Sequence, residues 1–204
     1  MVSDKVKTPQ NDLTSDLIRM RHGDDNIITL NEIASCMITL LVAGHETTTA
    51  QITNGILHWL TQREEWERLC QHPDAIPQAV EEMMRYDPSV CAWRRYVVED
   101  TQINGVTIPK SANLLLMLNS ANRDETIFPE SDTIDIDRDN VKDHLSFGYG
   151  IHYCVGAPLA RLEMVILFEE LTRRLPTLRL VPEQTLSYTR NISFRSPTSL
   201  HVAW

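Results

Sequence analysis

Apolar residues in the first third of the chain recur with helical spacing. After a polar lead-in they predict a short helix from Leu13 to Arg21. Thr29 and Glu32 then have the spacing of a capping box, in which each side chain hydrogen-bonds a backbone N–H at the helix start. A long helix is therefore predicted from this point to about Leu60. Its first half is apolar on most faces, which favours a place in a core.

Prolines and further apolar stripes mark three later helices. One is predicted from Arg63 to Gln71, and a second opens at Pro77 and ends near Asp87. The third follows Gly156 and is apolar on most sides because it carries two stripes. These stripes are Leu159–Leu162–Ile166 and Met164–Leu167–Leu171–Leu175.

Extended segments are short. Asn104-Gly105 lies between β-forming residues, which is a strong signal for a tight hairpin. Two further short strands are predicted near the carboxy terminus, at 178–180 and 199–202. The pattern as a whole predicts a mainly α fold with small β-sheets.

Composition narrows the possible functions. The 204 residues carry a net charge of −9, and without a basic stripe we expect no nucleic acid partner. The most apolar stretch, Ile33 to Gly44, is too short to cross a bilayer, and no signal peptide is visible, so no membrane partner is expected. Four scattered cysteines predict no disulfide framework, which favours a reducing cytoplasm. They are Cys36, Cys70, Cys91 and Cys154.

The candidate chemistry centres on residues 147–156, Phe-Gly-Tyr-Gly-Ile-His-Tyr-Cys-Val-Gly. Cys154 stands just before a predicted helix whose first turn holds Pro158. The sulfur would lie near unpaired N–H groups and the positive helix end, which favours thiolate over thiol. A thiolate is a soft ligand that suits several metals, haem iron among them. An isolated cysteine is usually a small buried hydrophobe, but the F-x-x-G-x-x-x-C-x-G spacing argues against that reading.

Two further patterns have ordinary explanations. The polar run from Ala43 to Thr48 interrupts an apolar helix, and a tolerated solvent-facing patch explains it as well as a functional bend. Glu82 and Arg85 are three residues apart, which is the usual spacing of a surface ion pair.

Together these motifs resemble the cytochrome P450 monooxygenases of the bacterial, soluble type. The cysteine loop with the following Ala-Pro-Leu-Ala-Arg-Leu-Glu is similar to the family's haem signature. Residues 43–47 resemble its A-G-x-[D/E]-T segment, and residues 82–85 its E-x-x-R motif. The resemblance covers about Leu13 to Trp204 and implies the carboxy-terminal half of the P450 fold. Complete members are about twice as long, so residues 1–204 are expected to form one incomplete domain, a fragment.

The resemblance implies a haem b site (iron protoporphyrin IX) with Cys154 as the axial iron ligand. Arg95 and His152 match positions that contact the haem propionates. Phe147 and Gly156 match cofactor-binding positions in the loop.

In the family, an acid and an alcohol help deliver protons during oxygen activation. Glu46 and Thr47 occupy those positions. The family's E-x-x-R pair is buried under the cysteine loop and joined by a later Arg or His. By position that residue is Thr133 here, which departs from the pattern.

The implied reaction inserts one atom of O2 into a small hydrophobic organic substrate, with electrons from a ferredoxin or similar donor. Arg161 is either a donor-docking residue or simply a solvated arginine. The alternatives are a non-catalytic haem-binding remnant and a helical module with a structural cysteine. The fragment alone is expected to be inactive because the missing half supplies most of the substrate roof. Pocket-lining positions expected in this half are Thr39, Val42, Ala43, Cys91, Ala92 and Phe194.

Overall fold

A computed structural model describes residues 2–204 and is mainly helical with three two-stranded sheets. The helices are α1 Val2–Lys7, α2 Leu13–Met20, α3 Leu30–Thr61, α4 Arg63–Gln71, α5 Ile76–Tyr86, α6 Leu118–Ala121 and α7 Ala157–Arg174. The strands are β1 Ala92–Tyr96, β2 Thr101–Ile103, β3 Val106–Ile108, β4 Asn113–Met117, β5 Arg179–Leu180 and β6 Val202–Ala203. Short 3-10 turns are Pro73–Ala75, Val141–Asp143 and Gly150–His152. The predicted fold class is confirmed, and within residues 2–204 no helix is long and apolar enough to cross a membrane.

The chain divides into two compact units, one up to Glu46 and one from Thr47 onward. In the first unit the predicted capping box is confirmed. The Thr29 backbone N–H donates to the Glu32 carboxylate at 2.7 Å, and the Glu32 N–H donates to the Thr29 hydroxyl at 3.1 Å. The polar lead-in forms α1, which buries no side chain and has Lys5 in its last turn, where a cation favours the helix dipole.

The first half of α3 is largely exposed. The exposed fractions are 63% for Ile38, 73% for Leu41 and 58% for Val42, whereas Ile33 is fully buried. The expectation that this whole stretch lies in a core is therefore wrong, because the described residues cover only one side of it.

The core of the second unit lies where α3, α4, α5 and α7 meet, around Trp59, Trp66 and Met83. Gly55 of α3 permits one close approach there. A Cβ at this position would lie 2.8 Å from the ring of Phe168 on α7, which is closer than real Cβ contacts. The glycine therefore brings α3 and α7 together at this point.

The sheets are small and antiparallel. The predicted hairpin is β2–β3, with φ of 47° at Asn104 and 80° at Gly105, the left-handed pair that a type I′ turn requires. β1 pairs with β4, and β5 with β6. A single bridge from Val90 to Phe194 links the segment before β1 to the carboxy-terminal stretch.

One side of α7 packs against the other described residues, and the opposite side is exposed. Met164 and Phe168 are buried, whereas Leu159, Leu162 and Ile166 are 60%, 55% and 49% exposed. An apolar stripe thus faces outward directly after the cysteine loop.

Candidate functional site

Cys154 lies in a tight loop between the 3-10 turn Gly150–His152 and the start of α7. Its N–H donates to the carbonyl of Phe147 at 2.9 Å, and its own carbonyl accepts from the N–H of Ala157 at 3.2 Å. The backbone on both sides of the sulfur is thereby fixed, while the side chain is exposed.

Glycine is required at two positions of this loop. Gly148 and Gly150 have φ of 73° and 70°, a left-handed conformation that other residues adopt at a cost. Gly156 differs, because its φ is −82° and an added Cβ would only touch the Cys154 sulfur at 3.8 Å. Its predicted role in cofactor binding therefore rests on space beside the sulfur and not on backbone strain.

The surroundings of the thiol fit a haem. Within residues 2–204 no group of three His, Cys, Asp or Glu side chains could hold a metal ion. A cysteine thiolate is one of the protein ligands that hold haem iron. Ile151 and Val155 flank the cysteine and are 97% and 84% exposed, and they offer the apolar surface that a flat macrocycle needs.

Of the two predicted propionate contacts, His152 lies in the loop and Arg95 lies on β1. His152 is exposed at the end of the 3-10 turn. Arg95 is half-buried, pairs across the sheet with Leu114 and donates to the carbonyl of Arg94 at 2.9 Å. No carboxylate of the described residues forms an ion pair with Arg95, so its charge is available for an anionic group. The two side chains share no hydrogen bond with each other in the described part of the chain.

Glu46 and Thr47 are consecutive residues of α3, which runs through Gly44 without a break. Glu46 is exposed and Thr47 is half-buried. Neighbouring residues of a helix point in different directions, so these two side chains do not face each other. Their predicted catalytic roles remain a prediction.

The E-x-x-R pair is not a surface ion pair. Both Glu82 and Arg85 have side chains with no exposed surface, and Arg85 binds the two carboxylate oxygens at 2.8 Å each. The guanidinium also donates to the carbonyls of Asn122 at 3.0 Å and Ser131 at 2.9 Å. A buried charge pair with these extra partners is geometrically complete.

A third charged member completes this pair, and it is Arg138. Its Nε lies 3.3 Å from Glu82, and its side chain is 6% exposed. Thr133, which occupies the position expected for this partner, contributes only its backbone carbonyl, accepting from Arg85 at 3.1 Å and Arg138 at 3.2 Å. The expectation that the motif lacks its third member is therefore wrong, since an arginine five positions later performs that role.

Asn122 connects the buried charges to the start of the cysteine loop. Its carbonyl accepts from Arg85, its side-chain oxygen accepts from the N–H of Leu145 at 2.7 Å, and its amide donates to the hydroxyl of Ser146 at 2.8 Å. The Ser146 hydroxyl in turn donates to the carbonyl of Met84 at 2.6 Å. The loop is thus anchored to α5 through fully hydrogen-bonded polar groups.

A second anchor involves Glu81, which sequence reasoning missed. Arg161 binds the Glu81 carboxylate with two hydrogen bonds, at 2.6 and 3.1 Å, and lies over the ring of Phe147 with its carbon 4.5 Å from the centroid. Arg161 is therefore not a solvated side chain. The only available signal was a second glutamate directly before the E-x-x-R motif.

Comparison with known proteins gives a consistent result. The family model for "Cytochrome P450" matches residues 74–178. The mycinamicin IV hydroxylase/epoxidase of Micromonospora griseorubida is 40% identical over the whole of this chain and 52% of its own length. The nocardicin C N-oxygenase of Nocardia uniformis subsp. tsuyamanensis is 36% identical over the whole chain and 51% of its own length.

Solved structures of cytochrome P450 proteins also match this chain. Cytochrome P450 CREJ in complex with (4-ethylphenyl) dihydrogen phosphate superposes with a TM-score of 0.94 at 44% identity, covering all of this chain and 50% of that one. An intact type IV self-sufficient cytochrome P450 monooxygenase gives 0.95 at 45% identity, covering all of this chain and 27% of that one. The chain thus spans about half the length of the curated relatives it matches.

Proposed function

Because the chain belongs to the cytochrome P450 family, we propose that it is the haem-thiolate half, the carboxy-terminal portion, of a bacterial P450 monooxygenase. The observation that carries the proposal is the exposed Cys154 thiol in a loop whose backbone is anchored by buried ion pairs. The helical module with a structural cysteine accounts for neither the left-handed glycines of this loop nor the family match, so it has no support. Residues 1–204 are proposed to form one incomplete domain.

The proposed cofactor is haem b, bound through the Cys154 sulfur. When bound, it supplies the redox chemistry that activates O2, so that one oxygen atom enters an organic substrate and the other leaves as water. Arg95 and His152 are proposed to hold the two propionates, since a cation and a ring N–H suit carboxylate oxygens. Phe147 and Gly156 are proposed to line the cofactor near the sulfur.

Glu46 and Thr47 are proposed to supply protons. Forming water from one oxygen atom consumes two protons and two electrons in addition to those in the substrate. Glu46 is exposed and can therefore exchange protons with solvent, and the half-buried Thr47 carries a hydroxyl that can donate a hydrogen bond. Each of the two residues is proposed to act by itself, Glu46 as a proton source and Thr47 as a hydrogen-bond donor to the reacting oxygen.

The substrate is proposed to be small and hydrophobic. Supporting this, two expected lining residues, Cys91 and Phe194, lie on neighbouring segments. The N–H of Cys91 donates to the carbonyl of Ser193 at 2.8 Å, and the ring of Phe194 meets that of Trp93 edge to face with centroids 6.2 Å apart. Electrons are proposed to come from a ferredoxin-type donor. A cytoplasmic location belongs to the proposal, because the cysteines of the described residues are all free.

Since the chain spans half of its relatives, a second candidate is haem binding without turnover. Two measurements separate the candidates. Haem titration should saturate at one haem per chain in both cases. In a longer protein that contains this half, only the monooxygenase should consume O2 and form product in equal amounts when supplied with electrons and substrate.

A further inference from the structure

Glu81 on α5 forms hydrogen bonds with two side chains from distant parts of the chain, His144 and Arg161. Its carboxylate is 7% exposed. One oxygen accepts from Arg161 Nε at 2.6 Å, and the other lies 3.1 Å from both Arg161 Nη2 and His144 Nε2. We call Glu81, His144 and Arg161 the clasp.

The two partners of Glu81 bracket the cysteine loop. His144 comes ten residues before Cys154, and Arg161 comes seven residues after it. The clasp therefore holds the entry and the exit of the loop on one carboxylate. Because that carboxylate belongs to α5, the loop is fixed to the core as well.

Arg161 extends the clasp to the residues beside the sulfur. Its Nη1 donates to the Tyr153 hydroxyl at 3.1 Å, and its guanidinium lies over Phe147. Phe147 accepts the N–H of Cys154, so Arg161 contacts both the residue that accepts this hydrogen bond and the residue directly before the cysteine.

The clasp is charged. Burial raises the pKa of Glu81, but hydrogen bonds from His144 and Arg161 outweigh this and lower it to about 2. The Glu81 hydrogen bond likewise raises the pKa of Arg161 above its usual range. At neutral pH the anion therefore compensates a guanidinium that contacts Tyr153, the residue directly before Cys154.

We propose that Glu81 is a positioning residue for Cys154: it holds both ends of the cysteine loop and balances the Arg161 charge beside it. The inference rests on the proposed function, in which Cys154 binds haem iron. The buried Glu82–Arg85–Arg138 group anchors the segment before the loop, whereas the clasp also reaches the helix after it. Loss of Glu81 should therefore loosen the loop from both sides.

Amide hydrogen exchange on residues 1–204 tests the positioning. Glu81→Gln keeps the size and removes the charge, and Glu169→Gln is the matched control on an exposed glutamate of α7. In Glu81→Gln the amides of residues 145–156 should exchange about tenfold faster, as expected for a lost charged hydrogen bond. The amides of α4 in Glu81→Gln should exchange as in the wild type, and so should the loop amides in the control Glu169→Gln. Glu81→Asp should recover part of the protection.

The reduction potential of the haem-loaded chain tests the charge balance. Glu81→Gln should shift the potential to more positive values than Glu169→Gln, because an uncompensated guanidinium near the thiolate favours the reduced state. Equal potentials in the two variants would overturn the inference. The inference would also be overturned if the loop amides of Glu81→Gln exchanged at the wild-type rate. The same holds if the amides of α4 were accelerated as much as those of the loop. If the wild type binds no haem through Cys154, the proposed function fails, and the exchange experiment still decides the role of Glu81.

Discussion

Arg138 lies 3.3 Å from Glu82, although 56 residues separate them in sequence. Together with Arg85 they form a buried group of one carboxylate and two guanidinium ions, and backbone carbonyls accept further hydrogen bonds from both arginines. Glu82 is the member on which the others depend, because its loss would leave two buried guanidinium ions without an anion, whereas Arg138 adds a further charged hydrogen bond to the Glu82–Arg85 pair.

Removing Arg138 should therefore destabilise the fold far more than changing Thr133. We expect Arg138→Ala to lower the free energy of unfolding by about 1.5–3 kcal/mol, the range for a lost hydrogen bond to a charged group, because the Glu82–Arg85 pair stays intact. Thr133→Ala should change it by less than about 0.5 kcal/mol, since Thr133 is exposed and contributes only its carbonyl. Urea unfolding followed by circular dichroism measures both values. Equal losses in the two variants would contradict the assignment of Arg138.

Glu81 should make stability depend on pH in the acid range. Its pKa is about 2 in the folded chain, against about 4.3 for an unfolded glutamate. The depressed pKa contributes stability above the unfolded value, and this contribution disappears as the pH falls toward 2. The stability difference between wild type and Glu81→Gln should therefore shrink by up to about 3 kcal/mol between pH 6 and pH 2. Unfolding curves at several pH values, with Glu169→Gln as the control, provide the measurement, and a constant difference would be inconsistent with the pKa.

Local rules made much of the fold predictable from sequence. The Thr29–Glu32 capping box and the Asn104-Gly105 turn depend on residues within a few positions of each other, and both formed as expected. The motif that singles out Cys154 is likewise contained in ten residues, and the role of this cysteine as an iron ligand stays a prediction.

Contacts between distant residues were not predictable in the same way. Glu81 and Arg161 are 80 residues apart, and nothing in their local sequence distinguishes a buried pair from two solvated charges. The E-x-x-R pattern likewise points to one fixed position, 133, for the third member, whereas Arg138 lies five residues beyond it. The exposed face with Leu41 shows another limit, because an apolar stripe predicts a partner surface but does not say whether the chain itself supplies it.

The proposed proton path predicts a specific kind of defect. In a longer protein containing this half, Thr47→Ala should bind substrate nearly as the wild type does but release much of the consumed oxygen as peroxide. Glu46→Gln should slow turnover more than it weakens binding, because it removes a proton source. The ratio of product formed to oxygen consumed measures both effects. A wild-type ratio in both variants would remove the two residues from the mechanism.

Residues 1–204 alone should not oxidise a substrate. Catalysis needs a substrate held close to the reacting oxygen and a site that excludes water, and the exposed stripe Leu159–Leu162–Ile166 indicates that surfaces near the loop lack a cover. The test is to express this chain, reconstitute it with haem and supply a competent electron donor. Product formation above the background of free haem would show that the half is self-sufficient.

The central claim is that Cys154 is the ligand of a haem iron, and carbon monoxide binding to the reduced, haem-loaded chain tests it most directly. Thiolate ligation shifts the Soret band of the carbonyl complex far to the red. The wild type and Cys91→Ser, a control at another free cysteine, should both show this band. Cys154→Ser should lose it and, if His152 replaces the sulfur, show a histidine-type spectrum instead. A red-shifted band that persists in Cys154→Ser would contradict the assignment.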